Sequence, residues 1–282
     1  MDRNLLLLVD GSNLLFQMFY GMPARILNSE GKPIQGTLGF VGALLKMIRM
    51  VQPTHVAVLF DGECHNDRTD LDENYKANRE DLSQMDEEDT PFSQLPDVYR
   101  ALEHMGIRYA ETSICETDDW MAAYCRCYGE TAKIVIASQD SDFFQLISEN
   151  VTVLRYRGDS SVLCDVQYIQ EKLGVEPSQY ADFKSLTGDT ADNIRGADKV
   201  GPKTAAWLIR EFGCLASIID RAEEITKPSI RASIQQNAER LRINDQLIRL
   251  TGDVEIPFVL DKLTYQYNGV TTTQVLTAIG LR

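Results

Sequence analysis

Nine carboxylates stand where they could share cations. Asp10 and Asp61 each close an apolar run, Asp140 and Asp142 are two apart in SQDSDFFQL behind KIVIA, Glu116, Asp118 and Asp119 fall together in CETDDW, and Asp189 and Asp192 are three apart in GDTADN. Carboxylates gathered in one pocket cannot all stay ionised, because close like charges raise one another's pKa. Divalent cations resolve the conflict. All-oxygen ligation suits Mg²⁺ or Mn²⁺, and the three histidines, His55, His65 and His104, do not point to an imidazole site. Two such ions about 3.5 to 4 Å apart activate a water and stabilise the leaving oxygen of an in-line phosphoryl displacement. The chemistry indicated is metal-dependent phosphodiester hydrolysis. Taken singly, a strand-end aspartate is more often a turn former than a ligand. Several acid motifs, three of them behind apolar runs, change that balance.

The elements that must position these acids are legible as alternating strands and helices. NLLLLV (4 to 9), THVAVLF (54 to 60), KIVIA (133 to 137) and NVTVLRY (150 to 156) are short and apolar, as strands buried on both faces of a parallel sheet are. Helical apolar spacing covers 37 to 51, 94 to 105 and 118 to 127. The alternation predicts an α/β domain, and ligands in such sheets sit at the carboxyl ends of the strands, where Asp10, Asp61, Asp140 and Asp142 all fall. Asp118 and Asp119 open a helix whose dipole favours carboxylates. Asp189 and Asp192 have the spacing to share one helical face.

From about 160 the character turns helical. Asp165 caps a helix to Lys172 that Gly174 ends, a second helix covers 177 to 187, and after about 225 a basic amphipathic helix is followed by a strand. The division expected is an α/β core over 1–160 and a helical lobe over 161–282. Residues 62 to 91 are acidic and lack apolar periodicity, apart from one basic cluster, NYKANR. A segment of that length without structure inside a compact domain is usually functional or disordered.

Composition sets outer bounds. The 282 residues carry a formal net charge of −14, which alone argues against a nucleic-acid partner unless the acids are gathered on metal. No apolar run approaches the roughly 20 residues that cross a membrane, so a soluble cytoplasmic protein, acting as a monomer, is expected. Six cysteines without a CxxC pair read as reduced and hold no zinc.

In order along the first 220 or so residues, LLVDGSNLLFQMFY, PTHVAVLFD, YKANR, ETDDW, SQDSDFFQL and GDTADNIRGADKVGPKTA resemble the 5′ nucleases: the flap endonucleases of bacteria and phages and the 5′ nuclease domain of bacterial DNA polymerase I. With no polymerase sequence after them, the resemblance is to a free-standing bacterial flap endonuclease of PIN-like α/β fold. It implies that Asp10, Asp61, Glu116 and Asp118 hold one metal with Asp119 and Asp140 nearby, and that Asp142, Asp189 and Asp192 serve a second. It further implies that 62 to 91 form a helical arch passing a 5′ single strand. Lys76 and Arg79 would face the scissile phosphate there, with Tyr75 stacking on a base or packing the arch and Arg68 on the DNA backbone. GADKVGPKTA, within 189–212, resembles a helix-hairpin-helix whose amides and helix N-terminus grip duplex phosphates, with K⁺ bound and with Lys199, Lys203, Thr204 and Arg210 alongside.

The chain departs from the family pattern in four places. Lys199 replaces a hairpin glycine, which is expected to restrict positive φ and counts against K⁺, and Arg195 replaces a common proline. Gln139 and Ser141 replace the Gly and Lys of the usual GDKD, removing a cation beside the metals. Two rival readings remain: a branched-DNA-binding protein that cuts poorly, and a PIN-type ribonuclease, which would need neither arch nor hairpin.

Overall fold

The computed structural model describes residues 4–62, 67–78, 86 and 89–281. Six strands form one sheet in the order β3-β2-β1-β4-β5-β6: β1 (Leu5–Asp10), β2 (His55–Phe60), β3 (Arg108–Glu111), β4 (Lys133–Ala137), β5 (Val151–Arg155) and β6 (Val162–Cys164). The first five are mutually parallel, and the short β6 returns antiparallel along β5. The fold is thus the α/β architecture with a mainly parallel sheet that the apolar runs predict. β3 and β6 escape that reading, because RYAE and VLC are too short and too mixed to carry a strand signal.

Alternate residues of β1 supply two cores. Leu7 and Val9 face α1 (Gly11–Gly21), α2 (Gln35–Val51) and α4 (Leu95–Met105), where Leu14, Leu15, Phe40, Leu44, Val98 and Leu102 are buried. Leu6 and Leu8 face α5 (Thr117–Tyr128) and a run of helices beyond it: α6 (Val166–Leu173), α7 (Tyr180–Thr187), α8 (Pro202–Phe212), α9 (Leu215–Asp220) and α10 (Pro228–Ile248). Asp165 caps α6 by accepting the Tyr168 amide at 2.8 Å, and Gly174 closes it in a left-handed turn with φ 74°. The short α3 (Asp67–Leu71) lies in the acidic segment between β2 and α4.

The chain after α10 runs back to the sheet. Instead of the expected strand, residues 250–259 are irregular, and the Trp120 indole donates to the Glu255 carbonyl and the Tyr124 hydroxyl to that of Phe258. Thr264 bridges to His55, and α11 (Thr272–Ala278) buries Val275 and Leu276 in the same core as α2 and α4. Trp120 thus packs against the core on the α5 side of the sheet.

Candidate metal centre

The sheet's order reverses at β1 and β4: β2 and β3 add on one side, β4 and β5 on the other. A crevice opens at the carboxyl ends of such a pair. Asp10, the last residue of β1, lies there and also caps α1, its Oδ1 accepting the Asn13 amide at 2.9 Å. The following Gly11 is required by packing, since a Cβ there would meet the Phe60 ring at 2.5 Å. Across the crevice the Ser138 hydroxyl donates to Asp10 Oδ2 at 2.8 Å and accepts the Asp140 amide at 3.0 Å. Asp140 Oδ1 in turn accepts the Asp142 amide at 2.8 Å. Asp61, just past β2, accepts the Thr117 amide at 2.9 Å, which brings the start of α5 to the same edge.

Glu116 is the N-cap of α5, joined to Asp119 in a capping box, and Asp118 lies in the first turn. Among the described residues, the ion pairs of this edge fall on Glu116 and Asp119 and none falls on Asp10, Asp61, Asp118 or Asp140. The consequence shows on Asp10 and Asp118. Burial and the nearby Asp61 push Asp10 up to about 7. Burial, Asp140 and Glu116 hold Asp118 well above the usual carboxylate range.

The remaining acids meet from different elements. Asp142, Asp189 and Asp192 each present an oxygen within 4.8 Å of the others. Asp189 and Asp192 do not share a helical face: α7 ends at Gly188, whose φ of 80° breaks it. Asp189 then lies on a two-residue strand, β7 (Gly188–Asp189), paired with β8 (Ile194–Arg195), and Asp192 in the turn between them. Between Asp142 and Asp189 sits the ammonium of Lys184 from α7, paired with both. Burial pushes Asp142 up to about 6 even though Lys184 pulls the other way. For Asp189 burial also favours the proton, but Lys184 outweighs it and the pKa is lowered.

Sequence reasoning missed Lys184. The signal was a lysine in the middle of YADFKSLT, a helix whose residues from Tyr180 to Leu186 are all buried, one turn before an acid motif.

The described part of the 62 to 91 segment sits over this edge. Arg68 is buried and pairs with Glu116 and, at 2.8 Å, with Asp119; Lys76 pairs with the other oxygen of Glu116. Tyr75 is buried against Ala181, Ile194, Leu247 and Ile248, with its hydroxyl 3.4 Å from Glu116, so its ring packs the base of the segment. Arg79 lies outside the described residues. Three hydrogen bonds tie this base to the β7–β8 turn: the Lys76 amide to the Asp192 carbonyl (3.0 Å), Asn78 to the Thr190 carbonyl (2.8 Å) and Asn193 to the Asn74 carbonyl (2.8 Å).

The hairpin before α8 turns through Lys199, which adopts a φ of 64°. Lysine therefore occupies the conformation a glycine would supply, and the expected restriction is met by strain. Lys199, Lys203 and Arg210 are exposed, and Thr204 is half-buried in the first turn of α8. The arginines of α10 are largely engaged inside the lobe: Arg240 donates to the Gly196 carbonyl at 2.6 Å and Arg231 to that of Ile225 at 2.9 Å.

An acid-lined crevice at the switch point of a parallel sheet, with Arg68 and Lys76 over it and a hairpin lobe beside it, defines a PIN-like 5′ nuclease. Family comparison agrees: residues 5–174 match the 5′-3′ exonuclease N-terminal resolvase-like domain and residues 175–270 the 5′-3′ exonuclease C-terminal SAM fold. The chain belongs to the 5′-3′ exonuclease family and is a nuclease. It is 36% identical to DNA polymerase I of Rhizobium leguminosarum over 270 residues, 93% of this chain and 26% of that protein. It is 34% identical to the thermostable DNA polymerase I of Thermus filiformis over 251 residues, 89% of this chain and 29% of that one. The chain thus spans little more than a quarter of these relatives. Among solved structures, the bacteriophage T5 flap endonuclease in a complex with DNA and metal ions superposes with a TM-score of 0.71 at 25% identity, covering 87% of this chain and 89% of its own. The catalytic core of Rad2 with DNA substrate shares the fold, with a TM-score of 0.60 at 18% identity over 99% of this chain and 84% of that one.

Proposed function

We propose that this chain hydrolyses phosphodiester bonds at 5′ flaps and 5′ ends of branched DNA, using two divalent cations, Mg²⁺ or Mn²⁺. Asp10, Asp61, Glu116, Asp118 and Asp140 would hold one, with Asp119 fixing Glu116 and Arg68 in place; Asp142, Asp189 and Asp192 would hold the other. The donor set fits such ions: every ligand is a carboxylate oxygen, and burial leaves Asp10 and Asp118 reluctant to ionise without a cation. When bound, the ions supply an activated water and a sink for the charge of the scissile phosphate. Lys76, already at the crevice, adds a cationic donor for that developing charge, and Arg79 a second. Lys199, Lys203, Thr204 and Arg210 would hold the duplex backbone, with K⁺ at the hairpin carbonyls. The reading includes a monomer working in the cytoplasm; among the described residues no helix is long and apolar enough to cross a membrane.

The observation that carries the proposal is the delivery of acids from β1, β2, the β4 end, α5 and the β7–β8 turn to one edge. The test is 5′-labelled flap DNA in Mg²⁺ beside an EDTA control, Asp142→Ala and a single-stranded RNA of equal length. Cleavage near the junction, lost in both DNA controls and absent on RNA, is expected. Tight binding to flap DNA without cleavage, in Mn²⁺ as well, would overturn it.

A further inference from the structure

We propose that Lys184 is a built-in occupant of the second half of the acid site: its ammonium holds Asp142 and Asp189 together when no divalent cation is present, and it must move aside before those acids take one. This rests on the metal-site reading above and goes beyond it, since it assigns a residue that opposes metal rather than binding it.

Geometry gives the conflict. The Lys184 ammonium pairs with Asp142 and Asp189 at the same time, and these are two of the three acids whose oxygens lie within 4.8 Å of one another. A small divalent ion held by this trio needs oxygens at about 2.0 to 2.1 Å. Ion and ammonium cannot both take those oxygens, and two cations a few ångströms apart in a buried site repel strongly. The side chain has nowhere comfortable to go while the site is empty, being 7% exposed with Tyr180 and the two acids as its charged and polar surroundings. Stripping it away leaves buried carboxylates uncompensated, which is costly.

The arrangement also fixes the direction of the effect. Lys184 stabilises the ion-free protein and lowers the affinity of its half of the site; in the other half the cations Lys76 and Arg68 fall on Glu116 and Asp119, and among the described residues none pairs with Asp10, Asp61, Asp118 or Asp140. The first ion is therefore taken by the Asp10 half. The second enters when added charge, such as a DNA phosphate, draws the ammonium away.

The test uses the full chain without DNA: wild type, Lys184→Met and Lys184→Gln, titrated with Mn²⁺ by calorimetry and by the loss of free-Mn²⁺ resonance signal, with melting in EDTA and in saturating Mn²⁺. In wild type two binding steps are expected. Both variants tighten the weaker step about tenfold or more, leave the tighter one unchanged, melt lower in EDTA and recover in Mn²⁺. Folding of either variant in Mn²⁺ suffices to read the binding steps. An unchanged or weaker second step, with melting lowered equally in EDTA and in Mn²⁺, would mean that Lys184 is only a structural anchor. Failure of wild type itself to bind Mn²⁺ would overturn the metal-site reading instead, and this proposal with it.

Discussion

The two halves of the acid edge solve the same electrostatic problem in opposite ways. Asp10, Asp61, Asp118 and Asp140 crowd together with hydrogen bonds from Asn13, Ser138, Thr117 and Asp142 and, among the described residues, no ion pair on any of the four, and burial raises the pKa of Asp10 and Asp118. Asp142 and Asp189 share the lysine of α7. Four facing carboxylates whose nearest cations, Lys76 and Arg68, pair with Glu116 at their side advertise the need for a metal; a pair bridged by an internal ammonium partly conceals it. The difference teaches that a cluster of acids should be judged with the cations other elements bring to it.

The largest effects come from removing one acid of either half. Asp10→Ala and Asp142→Ala are each expected to lower flap cleavage by more than about 10³-fold, because on the proposed reading each would delete a ligand of an ion that acts on the reacting phosphate. Single-turnover cleavage with saturating enzyme measures this. The comparison is sharpened by Mn²⁺ binding to the same variants, where Asp142→Ala keeps the tighter step and Asp10→Ala loses it. Loss of the same step in both would break the division into halves.

Stability against pH gives the next effect. An acid whose pKa is higher in the folded than in the unfolded protein keeps its proton longer when folded, so stability is lost as pH rises from the unfolded value to the folded one. For Asp10 that window runs from the ordinary 3.8 to about 7. In EDTA, the unfolding free energy of wild type should therefore fall relative to that of Asp10→Asn across this range, by up to about 4 kcal/mol at pH 8. Asp142, at about 6, should give the smaller gap against Asp142→Asn. A larger gap for Asp142 would show that Lys184 does not relieve its half.

Lys76 comes third. It sits on Glu116, and its replacement by Ala is expected to lower kcat by about 10²-fold while leaving both Mn²⁺ steps intact. An equal effect on metal binding would make it a fixer of Glu116 and not a partner of the phosphate.

Much of this was legible from residue order, for a physical reason. Asp10, Asp61 and Asp140 stand at the ends of buried strands, where apolar runs and the parallel-sheet rule locate them without coordinates. The helix starts at Asp118 and Asp165 were equally plain, since capping is local. What escaped depends on contacts far apart in the chain. Nothing in the spacing of Asp189 and Asp192 announces that Gly188 breaks α7 and bends them into a hairpin turn. By resemblance Arg68 reads as a DNA-backbone contact and Tyr75 as stacking on a base or packing the arch; both are buried, Arg68 on the acids at the start of α5 and Tyr75 against the lobe, and only tertiary packing decides that. Lys184 is the clearest case, being 42 residues from Asp142.

The smallest effect probes how the second half is held. Asn193 has a left-handed φ of 59° and donates to the Asn74 carbonyl at 2.8 Å, which ties the turn bearing Asp192 to the base of the segment carrying Lys76. Asn193→Gly keeps the backbone conformation and deletes the hydrogen bond, whereas Asn193→Ala deletes the bond and adds a left-handed penalty of about 1 kcal/mol. If the tie positions the second half, Asn193→Gly weakens the weaker Mn²⁺ step about threefold with little change in the tighter one, and Asn193→Ala weakens it further. Equal loss at both steps would mean that the turn braces the whole edge, and the two halves would then differ in charge but not in support.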